Sequence, residues 1–190
     1  NPAETFHEAV QSLWLTHMAV NLEGLNSAIS FGRIDQYLYP YYRADLDAGR
    51  LTRDQAREWL ECWWIKHNYA YDYQGRVGPN QGINSGFGQL ITLGGLDADG
   101  HDAANDLTYL CLDVIQDLNL LEPKPNVRLH AKSPDRLLDR LTEMVATAQG
   151  SPFLLNFDER SIAGMMLEAK RSGVGHLIRP DNVFDYAPVG

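Results

Sequence analysis

Three short β-type runs constrain this chain more than any other feature. They lie at residues 89–93 (QLITL), 126–130 (NVRLH) and 153–157 (FLLNF). Each is followed by apolar residues at helical spacing. The first helical stretch, 105–118, runs through Leu107, Leu110, Cys111, Val114 and Leu118. The second, opened by Ser133-Pro134, runs through Leu137, Leu138, Leu141 and Val145. The third, 161–171, is closed by Gly173. Strands alternating with helices predict parallel pairing through right-handed crossovers. A parallel sheet of only three strands would leave two apolar edges open. The pattern therefore predicts an α/β architecture that is one part of a larger sheet or barrel. Ser133 before Pro134 predicts an N-cap followed by a proline in the first helical position.

Upstream of residue 74 the period is helical. Thr5-Phe-His-Glu8 and Thr52-Arg-Asp-Gln55 both have capping-box spacing. Phe6, Val10, Leu13, Trp14 and Met18 follow the first. Leu60, Trp63, Trp64 and His67 form one face after the second. Between them, IDQYLYPYYRADLDAG reads as helix interrupted by Pro40, with Gly49 as a C-cap. Residues 74–88 hold six Gly or Pro and predict a long irregular loop. The chain thus divides into a helical layer, 1–73, and a β–α part, 74–190.

Charge and composition exclude several functions. The net charge is −9, so a phosphate backbone is repelled and nucleic acid is not an expected partner. There is no basic stretch for an anionic membrane and no apolar run of about 18 residues. Cys62 and Cys111, the only cysteines, each lie in a helical pattern. They read as reduced core residues, which fits the cytoplasm.

The candidate motifs are few. LDADGHDAAND resembles a calcium loop, but counted from Asp97 its Gly falls at position 4 and Thr108 at position 12. The EF-hand needs Gly at 6 and Glu at 12, so the string reads as an acidic strand-to-helix turn. The six His show no metal-ligand spacing, and no metal site is predicted. His17 and His67 lie on apolar helix faces and read as core or interface residues. His130, at a strand end, is a candidate to face a pocket. GINSGFGQL precedes a strand rather than a helix, which argues against a phosphate cradle. In SFGRIDQYLYPYY, Arg33 and Asp35 sit among apolar residues and predict a buried, paired charge.

Taken together, SFGRIDQYLYPYYRADLDAGRLT, ITLGGLDADGHDAANDLTYLCLD, PNVRLHAKSP and the final DYAPVG resemble the glycyl radical enzymes, the family of pyruvate formate-lyase. The resemblance runs from about Phe6 to Gly190. It implies a ten-stranded α/β barrel with a helical N-terminal part followed by three parallel β–α units. It also implies that FDYAPVG leads into the hairpin carrying the radical-relaying cysteine, expected directly after Gly190. No catalytic residue is then expected within this chain, which by itself would be inactive. The resemblance implies a glycyl radical elsewhere in the parent polypeptide, installed by an activating enzyme that uses S-adenosylmethionine and an iron–sulfur cluster. Implied partners are a small organic substrate and, in the parent, a second copy of itself. Ser30, Phe87 and Gln89 are the expected substrate-facing residues. Ser30 is carried over by resemblance, and Phe87 and Gln89 are placed where the glycine loop meets the first barrel strand. The alternative is a non-catalytic scaffold of the same fold.

Overall fold

The computed structural model describes residues 2–24, 29–73, 89–120, 122–148 and 154–186. The glycine-rich loop 74–88, and Phe87 with it, lies outside the described residues.

The N-terminal helices form where their caps predict. In helix α1 (Phe6–Gly24) the Glu8 amide donates to Thr5 Oγ1 and the Thr5 amide donates to Glu8 Oε2, each at 3.2 Å. In α4 (Arg53–Tyr73) Thr52 and Gln55 exchange the same pair of bonds. Two short helices intervene, α2 (Ile34–Tyr37) and α3 (Tyr39–Asp47), and Pro40 occupies the first turn of α3. There it removes no intrahelical bond. Leu60, Trp63, Trp64 and His67 are all buried, and Phe6 meets Tyr42 edge-on at 5.4 Å. Each such large apolar side chain contributes about 1.5–3 kcal/mol through burial.

Four parallel strands make one sheet in the order β1 (Ser30–Arg33), β2 (Leu90–Gly94), β3 (Lys124–Leu129) and β4 (Leu154–Phe157). Helices α5 (Asp106–Leu118), α6 (Asp135–Ala146) and α7 (Asp158–Arg171) follow β2, β3 and β4. A single 3₁₀ turn, Val183–Asp185, comes after α7. The three predicted β–α units are present. β1 adds a strand that the sequence did not signal, because SFGR holds one large apolar residue beside a Gly and an Arg and makes no β-type run. Pairing with β2 defines it.

Two expectations are corrected at α6. Ser133 does not cap it: its Oγ accepts from the His130 amide, and Pro134 is the N-cap with no side-chain bond. The buried face is Leu137, Leu141 and Met144, while Leu138 and Val145 are exposed. Cys111 is buried as expected. Cys62 is exposed on α4 instead of lying in the core, one position before the Trp63–Trp64 face.

Register gives the sheet two chemically distinct faces, because successive side chains alternate. Ile91 and Leu93 of β2 and Val127 and Leu129 of β3 are buried on one face. The other carries Thr92, which pairs with Asn126, and Arg128, which pairs with Asn156.

Candidate functional site

The polar face is linked across three strands. Asn126 Nδ2 donates to Thr92 Oγ1 at 3.5 Å, and Asn156 Nδ2 donates to Asn126 Oδ1 at 2.6 Å. The alternation in NVRLH, with Asn126, Arg128 and His130 separated by Val127 and Leu129, was a readable signal for this face. Of the three, the sequence singles out His130 alone as facing a pocket.

At the strand starts lie two of the three expected site residues. Ser30, the first residue of β1, is exposed, and its Oγ accepts from the Gly32 amide at 3.4 Å. Gln89, just before β2, is buried and turned toward the helices. Its Oε1 is 2.9 Å from His67 Nδ1, and its Nε2 is 3.0 Å from His17 Nε2. Asn21 Nδ2 also reaches His17 Nε2, at 2.7 Å. Two amide donors on one ring nitrogen make His17 Nε2 the acceptor, and His67 Nδ1 donates to Gln89. Phe31, Trp14 and Trp63 pack against the His67 ring with centroids 4.1–5.1 Å away. Burial lowers the His17 pKa to about 4. Burial, then the neighbouring His17, lowers that of His67 to about 3. Both rings are therefore neutral core residues, as their apolar helix faces predicted. Phe87 lies outside the described residues, so the structure places Ser30 and Gln89 at one end of the sheet, on differently directed side chains.

The strand ends carry the charged cluster. Arg33, the last residue of β1, and Asp35 are both buried, but they are not the ion pair that SFGRID suggested. Arg33 Nη1 donates to the carbonyls of Leu96 and Phe184 at 3.0 and 2.9 Å, and its Nη2 donates to Gly94 O at 2.8 Å. Asp35 Oδ2 accepts from the Gly94 amide at 2.8 Å and from Thr108 Oγ1 at 2.6 Å. Burial raises the Asp35 pKa, opposed by those hydrogen bonds and by the Arg33 charge. Arg128 Nε and Nη2 grip Asp158 Oδ1 and Oδ2 at 2.7 and 3.0 Å, and Arg128 Nη1 donates to Phe184 O. Asp158 Oδ2 also accepts from the Leu96 amide at 2.6 Å. The Lys132 amide donates to His130 Nδ1 at 3.2 Å, so Nε2 carries the proton and donates to Asp102 Oδ1 at 2.9 Å. His130 is thus tied to Asp102 at this end of the sheet.

Asp97, Asp99 and His101 lie close enough to offer ligand atoms to one ion. Asp97 Oδ1, however, accepts from the amides of Asp99 and His101 at 2.9 and 2.8 Å. Those bonds account for the acidic turn. The thiols of Cys62 and Cys111 both belong to helices, so among the described residues none is on a strand of the polar face. Among those residues no helix is long and apolar enough to cross a membrane.

Comparison with known proteins gives a consistent result. The sequence model of the pyruvate formate lyase-like family matches residues 1–177. Isethionate sulfite-lyase of Nitratidesulfovibrio vulgaris is 40% identical over 163 residues, covering 84% of this chain and 19% of that protein. Trans-4-hydroxy-L-proline dehydratase of Clostridioides difficile is 35% identical over 177 residues, covering 90% and 22%. The crystal structure of a glycyl radical enzyme from Archaeoglobus fulgidus superposes with a TM-score of 0.79 at 36% identity, covering 97% of this chain and 23% of that one. The chain spans about a fifth of the length of the relatives it matches.

Proposed function

The chain belongs to the pyruvate formate lyase-like family, and we propose on that premise that it is a wall of the reaction barrel in a glycyl radical enzyme. The parent acts on a small organic substrate and eliminates a leaving group from it. The names of its relatives, a sulfite-lyase and a dehydratase, support this class.

One observation carries the reading. The Phe184 carbonyl is bound at the ends of β1 and β3, while Ser30 and Gln89 stand at the strand starts. Strands of four to six residues separate the two levels by about 13–20 Å. An extended backbone would need about five residues to run from the level of the strand ends to that of Ser30. That span is within reach of a short loop, which supports the reading.

The glycyl radical supplies hydrogen-atom abstraction through a cysteine, and both groups belong to other parts of the parent. The residues of this chain orient and exclude. Ser30 offers a hydroxyl at the pocket rim. Thr92 and Asn126, both buried, tie β2 to β3, and Asn156 extends that chain of neutral hydrogen bonds to β4. Phe87 supplies an aromatic wall. Gln89 acts at one remove, fixing the start of β2 through His17 and His67. Residues 1–73 form the outer layer, to which β1 is the exception, and 74–190 form the barrel wall. The radical is installed by a radical S-adenosylmethionine activating enzyme, and the parent is a cytoplasmic homodimer.

The test is anaerobic activation of the full-length polypeptide with S-adenosylmethionine and an activating enzyme. A glycyl-type doublet in electron paramagnetic resonance, with turnover of a small hydroxylated substrate, is the expected result. The 190-residue chain alone gives neither. Absence of the doublet from the full-length protein overturns the reading.

A further inference from the structure

We propose that Arg33 and Arg128 are positioning residues: a two-guanidinium clamp on the Phe184 carbonyl that sets where the backbone leaves the strand ends. The inference rests on the proposed function, since it assigns the clamp a part in the parent's reaction.

The geometry is specific. A carbonyl oxygen has two lone pairs, and here both donors are arginines from non-adjacent strands, β1 and β3. Two cations on one oxygen repel, so the arrangement needs compensation. Asp158 supplies it for Arg128 through a two-point ion pair in which neither side chain is accessible. The carbonyls of Gly94 and Leu96 supply it for Arg33. Each guanidinium is thereby held in one orientation before it reaches Phe184. Gly95 makes the room. A Cβ there would lie 2.8 Å from both Arg128 Cβ and Nε and 2.9 Å from Asp158 Oδ2, and its φ is +86°. The contact joins residues 151 positions apart. A guanidinium has fixed planar donors and a lysine has one rotating head, so lysine keeps the charge but loses the two-point geometry.

The test compares Arg33→Lys and Arg128→Lys with the wild type in the full-length enzyme. The expected result is a fall in kcat of about 10²-fold, the scale of a small misplacement of reacting groups. KM and the glycyl radical doublet stay at wild-type values, while the thermal midpoint falls with the loss of buried hydrogen bonds. Amide hydrogen exchange over residues 183–186 accelerates, while exchange in β2 and β3 does not. Arg43→Lys, in an exposed pair with Asp47, changes none of these. The proposal is overturned if Arg33→Lys retains both kcat and slow exchange at 183–186. If Arg128→Lys fails to fold because Asp158 loses its partner, Arg33→Lys decides, since its bonds go to carbonyls. If the wild type gives neither doublet nor turnover, the functional reading has failed, and the exchange measurement alone still decides the clamp.

Discussion

Arg128 and Asp158 form a two-point ion pair at 2.7 and 3.0 Å with both side chains excluded from solvent. A buried pair of this kind adds little net stability, but breaking it leaves an uncompensated charge. Asp158→Ala should therefore destabilise the full-length protein by about 3–5 kcal/mol, read as a shift in the denaturant midpoint. An unshifted midpoint would show that Arg128 finds another partner or water.

The His17–Gln89–His67 cluster predicts an acid-sensitive layer. Both rings have folded-state pKa values, about 4 and about 3, below the ordinary 6.5. Protonation therefore favours the unfolded chain. The stability these neutral rings confer is present above about pH 6.5 and falls as the pH drops toward 4. Among the described residues, those bonded to or stacked on the two rings are Asn21, Gln89, Trp14, Phe31 and Trp63, none of them charged. His67→Phe should flatten the loss of stability between pH 6.5 and 4.5, whatever it does to stability at pH 7. An unchanged slope would count against buried neutral histidines as its cause.

Gly95 and Gly100 make a matched pair. Both have positive φ, +86° and +78°. A Cβ at Gly100 meets nothing within 4 Å, whereas one at Gly95 collides with Arg128 and Asp158. Gly100→Ala should cost about 1–2 kcal/mol from backbone strain alone. Gly95→Ala should cost clearly more and should disturb the clamp. Equal thermal shifts for the two variants would contradict the close packing at Gly95.

Ser30→Ala in the full-length enzyme should lower turnover about tenfold, the worth of one hydrogen bond near 1.4 kcal/mol, with the glycyl radical yield intact. Phe87→Ala is expected to fall at least as far. Full turnover in both would remove these residues from the pocket.

The isolated chain should self-associate. Leu155 and Phe157, on the edge strand β4, are 42% and 54% exposed, and β4 has one strand neighbour within the described sheet. An apolar edge is a template for pairing. Sedimentation showing a monomer without binding of a hydrophobic dye would refute this.

Local chemistry was legible in the sequence. The capping boxes at Thr5 and Thr52 and the face Leu60–Trp63–Trp64–His67 depend on residues three or four apart, so they could be read directly, whereas Pro40 read as a helix interruption and only the structure puts it in the first turn of α3. The three β–α units were legible for the same reason, and their motifs carried the family. Other features depended on contacts distant in sequence. SFGR becomes a strand because β2 pairs with it. Arg33 and Asp35 find partners 59 to 151 residues away rather than each other. Gln89 faces two histidines from different helices, which turns its amide away from the polar face. Cys62 is exposed because a one-residue step on α4 moves a side chain by about 100°. The sequence by itself determined the two N-terminal capping boxes, the three β–α units and what family builds them. The tertiary structure alone decided which charge meets which partner. A hydrogen bond across the sheet depends on strand register and helix placement, and no local spacing encodes either.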